Sequence, residues 1–221
     1  SASVNKGGKI LVARNCHKAV YHAVYLRELQ PVYIYPHEDQ RLGINGGISP
    51  ERVERYLEEN TDVQAFLITS PTYDGVVSDI KTIAEVVHRH KIPLIVDEAH
   101  GAHLHYSKYF PVSAADLGAD IVIQSFHKTL PSMTQTAVLH ICSDMADVEK
   151  IKRFMGIYQT SSPSYILMAS MDACMDKLRK DGQQMFREFT FNLEKARQRL
   201  SKCEKIKLIE GSMIESSGIY D

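Results

Sequence analysis

The sequence has no excess of charge of either sign: 26 lysines and arginines stand against 27 aspartates and glutamates, a formal net charge of −1. Neither a nucleic acid nor an anionic membrane surface would find a field to bind. Lysines and arginines fall in predicted helices beside glutamates, the pattern of a solvated face. There is no apolar run near the roughly 20 residues that a membrane helix needs and no signal-peptide pattern, so a cytoplasmic protein is expected. Cysteine is sparse. Cys16, Cys142, Cys174 and Cys203 are scattered without metal-ligand or redox spacing, which reads as reduced thiols. No internal repeat or low-complexity tract occurs. What is present is a chain of 221 residues, long enough to bury the core of one large domain.

The apolar residues come in short runs, and two of these end in chemistry. Pro93-Leu94-Ile95-Val96 leads into Asp97-Glu98-Ala99-His100, and Ile121-Val122-Ile123 leads into Gln124-Ser125-Phe126-His127-Lys128. Both runs read as parallel strands covered on two faces. In open α/β sheets ligands bind beyond the carboxyl ends of the strands, so an acid and a lysine are delivered where a cofactor would sit. That pairing is what pyridoxal phosphate requires: an amine to condense with its aldehyde, and a carboxylate to keep its ring nitrogen protonated. A carboxylate that an apolar strand buries at Asp97 needs a cationic partner, and a pyridinium supplies one. Ala99, two residues on in an extended chain, is expected to face the same side as Asp97.

The other elements fit an alternating pattern. Lys9 to Ala13 reads as a strand, and a helix is expected from His17 to Leu29, ended by Pro31. Val32 to Tyr35 is the next strand, followed by a loop with Gly43, Gly46 and Gly47. Ser49-Pro50 opens a helix to about Glu59. Ala65 to Thr69 is a strand ending in the turn Ser70-Pro71-Thr72-Tyr73-Asp74-Gly75. Ser78 is expected to cap a helix with Ile80, Ile83, Ala84, Val86 and Val87 on its apolar face. Thr136 to Ile141 could be a further strand. From about Met145 the pattern is helical almost to Cys203, with Ser164 to Leu200 read as two helices broken near Gly182. Strands alternating with helices of this length predict βαβ units and a three-layer, mostly parallel sheet.

Four segments together resemble the bacterial ornithine/lysine/arginine decarboxylases, which are fold-type I pyridoxal phosphate enzymes. They are Arg14-Asn15-x-His17-Lys18, Pro71-Thr72-Tyr73-Asp74-Gly75, Asp97-Glu98-Ala99-His100-Gly101-Ala102-His103 and Ser125-Phe126-His127-Lys128-Thr129-Leu130. The match runs over about residues 9 to 170. The resemblance implies that His17 stacks on one face of the cofactor ring, Ala99 packs on the other, and His100 helps to shape the pocket. It implies that Ser125 binds the phosphate and that His127 lies close to the substrate or to the Schiff base that the lysine forms with the cofactor. Thr72 either lines the same crevice or serves its turn alone. Thr160-Ser161-Ser162-Pro163 resembles a segment that reaches the phosphate of a partner subunit, and a plain helix cap would explain it equally well.

The implied reaction is decarboxylation of a basic amino acid to an amine, in a homodimer or larger assembly. Other fold-type I reactions, by an aminotransferase or a lyase, use the same acid and lysine, and a non-catalytic domain is the reading from a different class. Asp97-Glu98-Ala99-His100 also spells a helicase motif, but the Gly-x-x-x-x-Gly-Lys-Ser/Thr phosphate loop this would need is missing. His100, His103 and His105 could suggest a metal cluster, but Lys128 and Ser125 beside them favour the cofactor, and no metal is expected. Residues 1–160 are read as the cofactor-binding large domain without its N-terminal part. Residues 161–221 are read as a helical continuation toward a small domain. The opening Ser1-Ala2 looks like a processing remnant, and the resemblance places a phosphate-holding loop ahead of the first strand. Weak cofactor binding by this piece is the expectation.

Overall fold

The computed structural model describes residues 1–210, 213, 219 and 220. In chain order the elements are β1 (Lys9–Ala13), α1 (Lys18–Leu26), β2 (Gln30–Ile34), β3 (Glu38–Asp39), β4 (Ile44–Asn45), α2 (Pro50–Glu59) and β5 (Val63–Thr69). Then come β6 (Val76–Val77), α3 (Ile80–Arg89), β7 (Leu94–Asp97), β8 (Ile121–Ser125), α4 (Phe126–Thr129), β9 (Ala137–Ile141), α5 (Val148–Tyr158), α6 (Tyr165–Leu200) and β10 (Ile219–Tyr220). Six strands make the main sheet in the order β2-β1-β5-β7-β8-β9. All neighbours run parallel except β8 and β9.

Alternation along each strand divides the core between two faces. Leu11, Phe66, Ile68, Leu94, Val96 and Val122 point to one side, where α2 and α3 bring Val53, Leu57, Ile80, Ile83 and Val87. Ile10, Val12, Ala65, Leu67, Ile95 and Ile121 point to the other, against Val20 and Val24 of α1 and Ile151 of α5. This is the expected three-layer α/β arrangement, and each fully buried aliphatic or aromatic side chain in it is worth about 1.5–3 kcal/mol. β1 lies between β2 and β5, so the chain leaves it in opposite directions. Its junction with β5 is the switch point at which such sheets open a crevice.

Four expectations need correction. Pro31 does not end a helix; α1 stops at Leu26 and the turn passes through Glu28 at φ 53. Pro31 lies inside β2, the edge strand of the sheet, where its missing N–H can face outward without loss. Ser78 is not the cap of α3. Asp79 caps it by accepting from Thr82 N, while the buried Ser78 hydroxyl accepts from Ile48 N at 3.1 Å. Gly182 does not break the long helix, because α6 runs unbroken for 36 residues, roughly 54 Å at 1.5 Å per residue. A Cβ at Gly182 would lie 3.8 Å from Tyr106 Cδ1, an ordinary contact distance, and the helix runs through the glycine with Leu178 and Phe186 of the same helix packed in the third cluster. Ala99 does not continue the β7 alternation, since the strand ends at Asp97 and Ala99 sits in a turn.

Helix α6 packs across the carboxyl-end segments. Leu178 and Phe186 join Ala102, Leu104, Phe110, Phe126 and Leu130 in a third cluster, and Tyr106 stacks on Phe186 with ring centroids 5.5 Å apart. Among the described residues no helix is long and apolar enough to cross a membrane.

Candidate active site

Strand β8 turns directly into the one-turn helix α4, and that turn decides which side chains face out. Phe126 and Leu130 are buried in the third cluster, leaving Lys128 on the exposed side. Leu130 N donates to Phe126 O at 2.8 Å and closes the turn. His127 Nδ1 stands 2.9 Å from Thr136 O. A carbonyl only accepts, so the proton is on Nδ1, and in the neutral ring Nε2 keeps its lone pair. Ser125 is the N-cap residue of α4, yet its hydroxyl makes no capping hydrogen bond.

Strand β7 delivers the acid. Asp97 is half-buried and accepts from Ala99 N at 3.2 Å, which folds the chain into a turn just beyond the strand. The next residue points the opposite way. Glu98, 1% exposed, accepts from Ser113 Oγ (2.7 Å), Ala114 N (2.7 Å) and Gln124 Nε2 (2.6 Å). Burial pushes its carboxyl above the ordinary glutamate range, and the three donors only partly oppose this. Gln124 Oε1 in turn lies 3.0 Å from His140 Nε2. The strand end is thus tied from beneath by a fully bonded buried network.

His100 follows in the same turn. Its Nε2 is 3.2 Å from Lys128 Nζ, which joins the ends of β7 and β8. Burial holds the imidazole below its ordinary pKa, Lys128 and His17 push the same way, and Asp97 opposes them. Four residues expected at the site therefore act on one another: Lys128, Asp97, His100 and His17. Tyr73 adds an aromatic edge to His100, with ring centroids 6.0 Å apart and planes at 82°.

His17 reaches this group from the far side of the crevice. It is the N-cap of α1, with Nδ1 accepting from Ala19 N at 3.2 Å, which leaves the proton of the neutral ring on Nε2. Arg14 anchors the same turn: its guanidinium lies 5.2 Å and 5.4 Å from the ring centroids of Tyr21 and Tyr33 and bonds the Tyr21 hydroxyl. Asn15 Oδ1 at the end of β1, Thr69 Oγ1 at the end of β5 and His100 Nδ1 are buried polar atoms without a hydrogen-bond partner among the described residues. Such atoms are rare, and all three are in segments at the carboxyl ends of adjacent strands. A pocket of ≈ 460 Å³ opens beside Lys128, walled by His103, Leu130, Met185, Phe186 and Phe189.

Other expected site residues are placed differently. Thr72 is 2% exposed; its hydroxyl accepts from Val76 N at 3.1 Å and its own N–H donates to Val76 O at 2.8 Å. Those bonds serve the turn that carries Tyr73. Thr160 and Ser161 are exposed in the connection between α5 and α6, where Thr160 Oγ1 accepts from Ser162 N at 3.3 Å. No bond among the described residues joins them to Lys128. The Tyr73 and Glu98 contacts had escaped sequence reasoning, although both residues lie inside motifs it had singled out. Among the described residues no group of three His, Cys, Asp or Glu side chains is placed to hold a metal.

An acid and a lysine at the carboxyl ends of neighbouring parallel strands, in a three-layer sheet with one antiparallel edge, define a fold-type I pyridoxal-phosphate-like domain. The chain belongs to the Orn/Lys/Arg decarboxylase family, whose major-domain model matches residues 1–221. It is 35% identical over 214 residues to the arginine decarboxylase of Bacillus subtilis, covering 97% of this chain and 44% of that protein. The crystal structure of Francisella novicida lysine decarboxylase LdcF superposes with a TM-score of 0.76 at 25% identity, over 91% of this chain and 30% of that one. A PLP-bound putative aminotransferase from Clostridium difficile shares the fold alone, with a TM-score of 0.68 at 13% identity over 91% of this chain and 53% of that one. The chain thus spans less than half the length of the B. subtilis relative.

Proposed function

We propose that this chain carries the core of the pyridoxal phosphate site of a basic-amino-acid decarboxylase. The observation that carries this reading is the convergence of Asp97 and Lys128 from adjacent parallel strands, with His17 and His100 beside them. The residues fit the cofactor. Asp97 is a half-buried carboxylate, Ser125 has a hydroxyl not used as a cap, and three unpaired buried polar atoms are carried by the surrounding strand-end segments.

Bound pyridoxal phosphate supplies an aldehyde and a ring able to accept the electron pair left when a carboxylate departs as carbon dioxide. Asp97 would hold the proton at the ring nitrogen, and Lys128 would give the amine that secures the aldehyde. Ser125 would bind phosphate, while His17 would lie against the ring. His127, whose Nδ1 is engaged by Thr136 O, would use Nε2 to take or return a proton during the reaction. The pocket beside Lys128, walled by Met185, Phe186 and Phe189, suits the methylene stem of arginine, lysine or ornithine. The relatives named as arginine and lysine decarboxylases support that substrate class.

A homodimer belongs to the same proposal. Ile157, Tyr158, Tyr165 and Ile166 flank the Thr160–Ser161 connection and are 52–78% exposed, an apolar patch suited to a subunit contact.

The test is absorbance with pyridoxal phosphate, borohydride reduction and peptide mapping, followed by product analysis with the three basic amino acids on the complete protein. An adduct on Lys128 together with an amine and carbon dioxide is the expected result. A keto acid product would point to an aminotransferase. No adduct on Lys128 in the complete protein would refute the reading.

A further inference from the structure

The contact between His100 and Lys128 is the only hydrogen bond of the His100 ring among the described residues. Nε2 lies 3.2 Å from Nζ, and Nδ1 is buried without a partner. A lysine ammonium has three donors and no acceptor, so Nε2 can bond to it only by offering a lone pair. That requires a neutral imidazole with its proton on Nδ1. A protonated ring would instead set two cations side by side.

We propose that His100 is a positioning residue for Lys128: its neutral Nε2 accepts a hydrogen bond from the ammonium and holds Nζ toward the ends of β7 and β8 instead of leaving it to solvent. Every element packed around the ring bears on this role. Lys128 from α4 and His17 from α1 both disfavour a charge on His100, and Asp97 from the β7 end is the one group that favours it. Tyr73 offers a ring edge. Burial is the largest influence and acts with Lys128 and His17, so the neutral form of His100 is favoured. An exposed lysine has a flexible four-carbon stem, and one bond to a half-buried ring gives its amine a direction.

The first arm of the test uses no cofactor. Nuclear magnetic resonance of labelled protein follows the His100 ring through pH in wild type and in Lys128→Met. The wild-type midpoint is expected below the ordinary histidine value and is expected to move up when the lysine charge is removed. An unmoved midpoint would overturn the proposal.

The second arm rests on the reading of Lys128 as the amine that captures pyridoxal phosphate. It measures the rate of borohydride-trapped adduct at Lys128 against pH in wild type, His100→Gln and His100→Phe. Glutamine offers an acceptor oxygen and does not titrate, so this variant should recover most of the capture rate and lose the break in the pH profile that follows the His100 midpoint. Phenylalanine keeps a flat ring without an acceptor, and capture should slow about tenfold or more. Equal loss in both variants, or none in either, would refute the positioning role. If wild type gives no adduct at Lys128, the cofactor reading fails while the first arm still decides the contact.

Discussion

Gly101 is the tightest point beneath the site, and replacing it with alanine tests the packing directly. A Cβ built there would lie 2.5 Å from Glu98 Cγ, 2.9 Å from Leu104 Cδ1 and 3.0 Å from Pro71 Cδ. The backbone at Gly101 is not in the left-handed region, so the substitution tests space alone. Leu104 can swing its terminal methyl group, but Pro71 is a ring. Glu98 is held by three hydrogen bonds that a shift would stretch. Overpacking of this kind costs about 1–3 kcal/mol, and two neighbours that cannot yield put Gly101→Ala near the top, about 3 kcal/mol. For a chain of this size that is a fall of roughly 6–12 °C in Tm.

The matching control is Gly156→Ala. Gly156 lies inside α5 with nothing within 4 Å of its would-be Cβ, so alanine there should stabilise by about 0.5–1 kcal/mol. Urea unfolding of the two variants checks both signs. Adding Glu98→Ala removes the worst clash, so Gly101→Ala should cost about 1 kcal/mol less in that background. A Gly101→Ala variant within about 0.5 kcal/mol of wild type, inside the range of an unremarkable surface change, would refute the reasoning.

Glu98 also sets a pH dependence. Burial raises its folded pKa above 4.5, the ordinary value of a glutamate, so its contribution to stability is fully present below 4.5 and is lost as pH rises through the folded value. The unfolding free energy of wild type minus that of Glu98→Gln should therefore fall as pH increases from 4.5, and a flat or rising difference in urea titrations would contradict the burial argument. Asp120 is 0% exposed, accepts from Leu94 N at 2.7 Å and lies 2.9 Å from His88 Nε2. Asp120→Ala strips the buried Leu94 N–H of its acceptor and should cost about 2 kcal/mol; chemical denaturation with no measurable loss would show that the network tolerates it.

Much of the sheet was legible because its strands are short apolar runs that end in polar turns. Lys9–Ala13 and the helix opened by Ser49-Pro50 were read with the bounds they have. The failures came where tertiary context overrides a local signal. Proline reads as a breaker, yet an edge strand tolerates Pro31. Glycine reads as a break, yet α6 runs on through Gly182 because Cys174, Leu178 and Phe186 on either side of it are packed into the third cluster. Serine before a helix reads as a cap, yet the neighbouring Asp79 took that place and left Ser78 to a loop amide.

At the site, Asp97 and Lys128 could be placed by their strand ends, because a parallel sheet aligns those ends whatever the loops do. The His100 contact could not, since it depends on how the β7 turn leans toward α4. Nor could the partners of Glu98, which come from Ser113, Ala114 and Gln124. Periodicity says that a residue is buried and is silent on what meets it.

The ends of β1, β5, β7 and β8 that surround the crevice are drawn from segments scattered from Arg14 to Lys128. No stretch of the chain contains a local precursor of this site. Loop-closure entropy must be met for each long-range strand pairing before the lysine and the acid acquire any fixed relation, which ties the assembly of the site to the slow, non-local part of folding. During refolding, the fixed relation of Lys128 to Asp97 would therefore arrive with the completed parallel sheet, later than helix formation.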